Sequence, residues 1–541
     1  ESKTGLFNYK SSDQGATFAG FQHNLEYSQR SLSTVQLIGK NELGSKELWA
    51  LDYVVAPTYS TINDPDVRLT RYEDRGSFLS ISTESGFPQR IWREMDEINS
   101  TERINFKRKL KWFGREGELK FGASHLFKTR NYQVRTFMIN VRNMDLTGNP
   151  DELFAEENLW PYNGNVMQGT TVEANFLPVN PNQFNSNVQN FGGYASLYFQ
   201  PAKRFKSTIG LRTEYFVQRY TGQDQLGVNV LSNTKVIDDL GFFPTGNFTY
   251  AISEKQNLRF SYAKTVVRPT FKEMSYAEIF DPLTGRTFIG GMFADKDPAN
   301  NKVYWDGQLR RTDIHNMDVR WELYPTLNQI ISFGAFYKHC INPIEIVQFA
   351  TQAGSFQPRN VGNGDLIGVE AEIQLGLKPL WAKLEGLSFV TNVTLTHSKI
   401  KLSATEYESR IANAREGEEV KSYRSMAGQA PYVINGGFTF TGREGVLNGF
   451  DFGLFYNVQG STLLYVGMVD RPDVYSVPFN SLNFTAGYKW GEKNQWAAVL
   501  KVNNILNDKR EEVYKNFGAD EEIFSSLRPM VSSTIKVTYN F

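Results

Sequence analysis

The chain has 541 residues, and its 58 basic and 58 acidic side chains give a formal net charge of zero. It has no basic stripe, which argues against nucleic-acid binding because that function needs clustered Lys and Arg. The single cysteine, Cys340, excludes an intramolecular disulfide framework and a cysteine-rich metal site. Aromatic residues make up 14% of the chain, which favours strands because aromatic rings fit a pleated, half-buried surface.

Hydropathy gives no sign of a membrane helix. No apolar run approaches the roughly 18–20 residues that a spanning helix needs, and the mean hydropathy is −0.42. A membrane β-barrel would escape this test, because its strands present an apolar side chain to lipid only at every second position. The N-terminal residues 1–3 carry no targeting segment, so we expect that a signal was removed or that the chain begins partway through a longer protein.

Amphipathic strands joined by short turns recur along the whole chain. The clearest is 366–375, where Ile367 and Val369 oppose Glu370 and Glu372. Strict period-two alternation of this kind predicts half-buried strands. The pattern predicts about eighteen of them, at 16–27, 31–40, 48–58, 104–112, 119–125, 187–200, 205–220, 242–252, 258–268, 314–324, 330–341, 366–375, 387–400, 430–441, 450–464, 479–490, 496–505 and 530–541.

Strand length and loop length both indicate a membrane barrel. Most of these strands have 10–15 residues, against roughly 9–11 for a tilted membrane strand and about 5–6 for an average strand. Short turns alternate with long loops, as in outer-membrane barrels with short periplasmic turns. The short turns are predicted at 41–47, 113–117, 201–204, 253–257, 325–329 and 491–495, and the long loops at 59–101, 140–186, 269–313, 401–429 and 506–529. The predicted fold is all-β, a transmembrane antiparallel β-barrel.

Tryptophan lies at one end of the predicted hairpins. Six of the nine tryptophans are within a few residues of a predicted short turn. Together with the aromatic C-terminal residue they would form a girdle at the periplasmic membrane interface. The alternative is that Trp simply favours strand ends. The girdle candidates are Trp49, Trp112, Trp321, Trp381, Trp490, Trp496 and Phe541.

Charged residues occupy the middle of several predicted strands, on the polar face. A small filled barrel would hold apolar side chains there, so these charges fit a wide, water-accessible lumen or one packed by a polar plug. The alternative is a soluble sheet that turns the same charges to solvent. The lumen candidates are Arg212, Glu214, Arg320, Glu322, Glu370 and Glu372.

Catalytic and metal-binding patterns are weak. The five histidines are scattered without metal-ligand spacing, and no Gly-x-Ser-x-Gly nucleophile elbow occurs. We therefore predict no catalytic residue, no metal site and no cofactor. Two acidic clusters, 295–297 and 520–522, could bind calcium through oxygen ligands, but neither matches an EF-hand register, which favours solvated loop charge.

Aromatic residues in the predicted external loops could stack on a sugar, a chelate or a peptide. Packing of the long loops on themselves explains them equally well. These ligand-binding candidates are Trp160, Tyr162, Tyr304, Trp305, Tyr407 and Tyr423.

Several stretches resemble TonB-dependent outer-membrane transporters, in the order expected for that family. They are LRFSYAKTVVRPTFKEMS at 258–275, the strand, turn and strand at 317–344 ending in YKHCINP, GQAPY at 428–432, VNNILN at 502–507 and the C-terminal Phe541. Each stretch is moderately specific, and together they cover the chain from about residue 30 to its end. The resemblance implies a 22-stranded barrel in the Gram-negative outer membrane, closed by an N-terminal plug that TonB contacts.

The resemblance also implies import of a scarce, bulky solute such as an iron chelate, cobalamin, a glycan or a peptide. No plug-like region precedes the first predicted strands, so we expect residues 1–541 to form one barrel domain that lacks the plug and the opening strands. Outer-membrane lipid, the TonB complex acting through a plug, and a surface lipoprotein or other envelope subunit are the expected partners. Two other functions stay open. They are a structural or secretion-complex barrel, and a soluble carbohydrate-active protein with Glu370 and Glu372 as its acidic pair.

Overall fold

A computed structural model describes residues 2–13, 16–44, 48–81, 86–112, 114–160, 167–174, 176, 179–281, 286–352, 354–443, 445–492 and 494–540. Almost all of its regular structure is strand. One α-helix, α1 (Ala404–Ala412), and short 3-10 turns at Pro150–Phe154, Glu156–Asn158, Ala382–Leu384 and Gly445–Leu447 lie in connections between strands. Among the residues described, no helix combines the length and apolar character that crossing a bilayer requires.

The strands are numbered in chain order. They are β1 (Ser2–Asp13), β2 (Ala16–Tyr27), β3 (Gln29–Thr34), β4 (Leu37–Leu43), β5 (Trp49–Asp74), β6 (Leu79–Ser80), β7 (Gln89–Trp112), β8 (Arg115–Arg142), β9 (Gly169–Ala174), β10 (Gln183–Ala202), β11 (Phe205–Gln223), β12 (Val230–Ser253), β13 (Gln256–Val267), β14 (Glu278–Asp281), β15 (Arg286–Ile289), β16 (Asp295–Lys296), β17 (Val303–Trp305), β18 (Thr312–Leu323), β19 (Ile330–Ile341), β20 (Ile344–Gln348), β21 (Ser355–Asn360), β22 (Gly364–Gly376), β23 (Leu387–Lys401), β24 (Tyr423–Arg424), β25 (Tyr432–Thr441), β26 (Phe450–Gln459), β27 (Thr462–Tyr465), β28 (Asp473–Ser476), β29 (Phe479–Trp490), β30 (Trp496–Asn503), β31 (Arg510–Lys515), β32 (Glu522–Leu527) and β33 (Ser532–Tyr539).

The long strands form one antiparallel meander in which each pairs with the next long strand along the chain. The order is β1, β2, β5, β7, β8, β10, β11, β12, β13, β18, β19, β22, β23, β25, β26, β29, β30 and β33. Strand lengths are uneven. β5, β7 and β8 have 26, 24 and 28 residues, whereas β26 and β30 have 10 and 8. The nearest-neighbour arrangement confirms the predicted hairpins.

The two faces of this sheet differ in character. On one, here called the apolar face, Ile367 and Val369 of β22 are 57% and 51% exposed although both are aliphatic. The opposite, polar face carries Glu370 and Glu372 of the same strand. Exposed apolar residues on other strands include Leu211, Phe242, Phe260, Val319, Phe333, Leu395, Phe438, Leu454, Leu500 and Ile535. A continuous exposed apolar surface of this size is what a membrane-embedded protein presents to acyl chains.

Three details of the predicted strands are wrong. The predicted loop 59–101 is mostly strand, because β5 continues to Asp74 and β7 already begins at Gln89. Residues 65 and 66 form a bulge in β5, where the pairing with β7 shifts and Asp66 has a φ of 55°. An inserted residue reverses which face the later side chains occupy, so the period-two pattern is interrupted there.

The other two errors lie near the N-terminus. Segments 16–27 and 31–40 were predicted as separate strands, but β2, β3 and β4 are consecutive pieces that all pair with β5. The additional strand β1, which pairs with β2, was not predicted. Merging the two predicted segments removes one strand and β1 adds one. The number of long strands among the described residues therefore agrees with the predicted eighteen.

Strands end and begin where the short turns were predicted, although residues 45–47, 113 and 493 of those turns lie outside the described residues. A further short turn among the described residues lies at the opposite end. β11 and β12 are joined at the long-loop end by only 224–229. The Asp224 carboxylate holds this connection by accepting from the backbone N–H groups of Leu226, Val228 and Asn229 at 3.0–3.1 Å. The alternation of short turns and long loops is therefore not strict.

Among the described residues the long loops form the two-stranded pair β16 and β17 and two four-stranded sheets. The first half-sheet has the order β14, β15, β21, β20, and the second β27, β28, β31, β32. They meet at one parallel bridge between Val347 and Val466. There the Gln348 N–H donates to the Val466 carbonyl at 2.9 Å, and the Val466 N–H donates to the Ile346 carbonyl at 3.0 Å. This junction is called the seam, and Val347, Leu463 and Val466 belong to a buried apolar cluster beneath it.

One loop segment, 268–281 and 286–292, packs on the polar face of the main sheet. Phe271 joins Phe216 and Tyr220 of β11 in one buried cluster, and Phe280 packs against the cluster that contains Ile91 of β7. The segment thus crosses the polar faces of several strands. Its apolar side chains bury Phe216 and Tyr220, which are aromatic residues on a face that is otherwise polar.

Ile367→Lys tests the assignment of the apolar face. A lysine on the lipid side costs about 2–4 kcal/mol at the bilayer midplane and less toward the interfaces, so the free energy of unfolding measured by denaturant titration in phospholipid vesicles should fall by up to that amount. Gln374→Lys, on the polar face of the same strand, is the matched control and should have little effect. Equal losses for the two variants would contradict the assignment.

Candidate functional site

The polar face carries connected ion pairs rather than isolated charges. Glu214 of β11 is buried and contacts Arg212 of the same strand, and its other oxygen accepts from the Arg268 guanidinium at 2.6 Å. Arg268 lies at the start of loop 268–311 and its guanidinium carbon is 4.5 Å from the centre of the Phe216 ring. The predicted pair Arg212 and Glu214 therefore lies on the polar face of the sheet and anchors a loop, and its position in a lumen stays a prediction.

Asp239 of β12 holds both ends of that loop. It was not among the predicted site residues. Arg268 Nη2 is 3.5 Å from Asp239 Oδ2, and Arg311, at the other end, contacts Asp239 Oδ1. Arg311 also pairs with Asp313 at 3.1 Å. One carboxylate on the wall therefore fixes the two stems of the loop against the sheet.

The remaining predicted lumen residues lie together on β18 and β22. Arg320 pairs with Glu322 at 3.4 Å and with Glu372, and Glu322 also accepts from Arg259 at 2.7 Å. Glu370 is exposed on the same wall. Because Arg320 neutralises Glu372, Glu370 and Glu372 are not a pair of free carboxylates of the kind that acid–base hydrolysis needs.

The predicted girdle tryptophans lie at or near the short-turn ends of the strands. Trp112 ends β7, Trp490 ends β29 and Trp496 begins β30. The Trp490 and Trp496 rings stack with centroids 6.1 Å apart, and Trp496 packs against Tyr539 at 4.6 Å. Trp49 begins β5, Trp321 lies near the end of β18, and Trp381 lies in the connection after β22, whereas Phe541 lies outside the described residues. Their role at a membrane interface stays a prediction.

The predicted loop aromatics do not share one environment. Tyr304 packs against the apolar cluster beneath the seam, and the Trp305 indole donates to the Gly291 carbonyl at 2.7 Å. Packing of the loops on themselves therefore accounts for these two. Each of two others faces a cation: Trp160 lies under Arg142 at 5.9 Å and Tyr423 under Lys399 at 3.9 Å. Tyr407 lies half-buried in α1, and Tyr162 lies outside the described residues.

A buried charge network ties the loops together across the seam. The Arg424 guanidinium bonds Glu345 of β20 and Glu406 of α1, each at 2.7 Å. Arg410 of α1 continues the network, with contacts to Glu406 at 3.1 Å and to Asp473 of β28 at 2.8 Å. The network thus links both half-sheets to α1. None of these five residues was a predicted site residue.

Burial and pairing oppose each other in this network. Burial raises the pKa of Glu345, although the neighbouring Arg424 acts to lower it. For Arg424, burial alone would lower the pKa, but the carboxylates of Glu345 and Glu406 outweigh that effect and the pKa is raised. Burial, together with Asp473, raises the pKa of Tyr475 to about 12. The arginine is therefore held charged because its carboxylate partners surround it.

The acidic cluster at 295–297 was predicted to be solvated, and for Asp295 that is wrong. Its side chain is fully buried and paired with Arg359, which is 3% exposed. It also accepts from the Ala350 N–H at 2.7 Å and from the Thr351 hydroxyl at 2.9 Å. In the second cluster, Asp520 is exposed as predicted. Among the described residues no group of three or more His, Cys, Asp or Glu could hold a metal ion.

A cleft of about 650 Å³ opens between the two half-sheets. Arg286, Gln348 and Phe356 come from the first half-sheet, and Tyr514 and Phe524 from the second, while Arg471 lies in the turn between β27 and β28. Rim residues include Arg415, Asp470, Asp520 and Glu522. None of the five predicted ligand-binding aromatics that lie within the described residues lines this cleft.

Comparison with known proteins finds a matching family model and solved structures of similar fold. A family model described as TonB dependent receptor-like, beta-barrel, matches residues 2–505. The fold resembles the ferric citrate transporter FecA in its unliganded form (9% identity, 98% of this chain and 69% of that one, TM-score 0.61). It also resembles the pyoverdine receptor FpvA from Pseudomonas aeruginosa PAO1 (13% identity, 99% and 70%, TM-score 0.58) and the copper transporter OprC (12% identity, 100% and 67%, TM-score 0.57). A search of curated protein sequences found no match.

Arg424→Met tests the importance of the buried network. Removing one partner of a buried pair typically costs about 3–5 kcal/mol, because the remaining charges stay buried. Amide hydrogen exchange in α1 and β20 should accelerate strongly while exchange in the long strands stays slow. Lys378→Met is the control, because it breaks an ion pair between Lys378 and Glu385 whose two side chains are 60% and 66% exposed. It should change the free energy of unfolding by less than about 0.5 kcal/mol. Unchanged exchange in Arg424→Met would contradict the role.

Proposed function

This chain belongs to the TonB-dependent receptor β-barrel family of the Gram-negative outer membrane, and we propose that it is the conduit for energised uptake of one bulky solute. The family is one of transporters, and transport rather than catalysis is the activity proposed here. An iron chelate, cobalamin, a glycan or a peptide is the proposed class of solute. In this proposal residues 1–541 act as one barrel domain.

The contrast between the two faces of the sheet carries the proposal. An apolar face with exposed Ile367 and Val369 matches acyl chains, and a polar face with the Arg320–Glu322–Glu372 pairs matches a hydrated interior. In barrels of this kind the short turns face the periplasm and the long loops face outside. The two half-sheets would therefore lie at the outer mouth, in the path of an arriving solute.

The proposed mechanism has three parts. Residues of the cleft between the half-sheets capture the solute from outside. Paired charges and amides on the polar face offer hydrogen bonds along a hydrated path, which lowers the cost of moving a polar solute through the barrel. A plug engaged by TonB supplies the gating, and outer-membrane lipid surrounds the barrel. A surface lipoprotein or another envelope subunit is a further proposed partner.

Replacing 271–309 with a short Gly-Ser linker tests capture by the loops. The expected result is a barrel that still inserts into the outer membrane, as judged by heat-modifiable gel mobility, and uptake of a radiolabelled iron chelate, cobalamin, glycan or peptide that falls at least about tenfold relative to the parent chain. The matched control replaces 225–228, the tip of the β11–β12 turn, and should transport normally. Solute uptake that is unchanged by the first replacement would contradict capture by this loop.

A further inference from the structure

The cleft and the seam share residues, which connects ligand binding to the position of the half-sheets. Arg471 lies in the cleft, and its guanidinium also donates across the seam to the Phe349 carbonyl, which follows β20. Gln348 makes a second such contact, from its side-chain amide to the Pro472 carbonyl at 2.7 Å. Beyond the bridge at Val466, these side-chain bonds hold the cleft side of the seam closed.

The floor and the rim of the cleft differ in charge. Three acidic residues, Asp470, Asp520 and Glu522, and one basic residue, Arg415, lie exposed at the rim, where solvent and salt screen their fields. On the floor, Arg286 is only 11% exposed, and Glu512 at 3.6 Å already compensates its charge. Arg471 has no carboxylate within ion-pair distance among the described residues. The floor therefore carries one uncompensated positive charge.

Aromatic rings line the same cleft as Arg471. Phe356 is buried, and Phe524 and Tyr514 lie half-buried beside it. The Arg286 guanidinium carbon is 3.7 Å from the centre of the Phe524 ring. A guanidinium favours planar carboxylates through paired N–H donors, and the neighbouring rings favour a flat apolar group.

We propose that the cleft binds the carboxylate-bearing aromatic part of the solute, and that binding releases the seam. The carboxylate would take the Arg471 N–H donors from the Phe349 carbonyl, since a charged acceptor forms a stronger hydrogen bond than a neutral one. The half-sheets then lose one of their cross-seam bonds while the ligand occupies the cleft. This inference rests on the proposed function, because it describes how a captured solute opens the outer mouth.

Amide hydrogen exchange of the purified full chain in detergent tests the proposal, with benzoate as the probe. Saturating benzoate should accelerate exchange of the Gln348 and Val466 amides about tenfold, the range expected for loss of a hydrogen bond to a charged group. Inorganic phosphate at the same concentration should have a much smaller effect, because it has no ring. No response to benzoate, or an equal response to phosphate, would overturn the proposal.

Three variants separate ligand linkage from simple loosening. Arg471→Gln should show fast seam exchange without benzoate and no further change with it. Gln348→Ala should loosen the seam but keep its response to benzoate, since Arg471 remains. Arg443→Gln, which removes an exposed arginine in the connection after β25, should behave like the parent chain. A benzoate response retained by Arg471→Gln would overturn the proposal.

The exchange experiment is independent of transport. A failed benzoate response with normal uptake would reject the seam mechanism and leave the proposed function standing. A normal benzoate response in a barrel that takes up none of the candidate solutes would reject the proposed function and leave the ligand-linked seam as a property of the loops.

Discussion

Backbone hydrogen bonding in a medium without water is the constraint on which the rest of this structure depends. Every N–H and C=O group within the hydrocarbon must find a partner in the protein, so the chain crosses as paired strands. Pairing fixes the side chains alternately on two faces, and each face then has its own solvent. Ile367 and Glu370, three residues apart on β22, show how one strand serves lipid and water at once.

Much of the main sheet could be predicted from sequence because its pattern is local. Strand 366–375, the short turns and the positions of the tryptophans can all be derived from a few neighbouring residues. The bulge at 65–66 could not, because one inserted residue reverses the alternation that the prediction relies on. The positions of β2, β3 and β4 could not be predicted either. Only their shared pairing with β5 shows that they follow one another along the same edge of that strand.

The candidate site was harder to predict, because its residues come from separate loops. Glu345, Arg424 and Asp473 are far apart in sequence, and each alone looks like an ordinary solvated charge. One local feature was available: Ser403 and Glu406 have the spacing of a helix capping box, and Ser403 does accept from the Glu406 N–H at 3.2 Å. That pattern predicts the start of α1, but it does not predict the two arginines that the Glu406 carboxylate binds. Burial of charge in loops follows from tertiary packing, which has no sequence period.

Uneven strand length gives the outer rim a high side and a low side. A membrane crossing uses roughly 9–11 residues, so β5, β7 and β8, with 26, 24 and 28 residues, stand well clear of the bilayer. β26 and β30, with 10 and 8, end near its surface. The long strands therefore extend the sheet beyond the bilayer on one side of the mouth. The loops after β26 and β30 contribute Arg471 and Phe524 to the cleft, so part of the cleft is carried by loops that rise from the short strands.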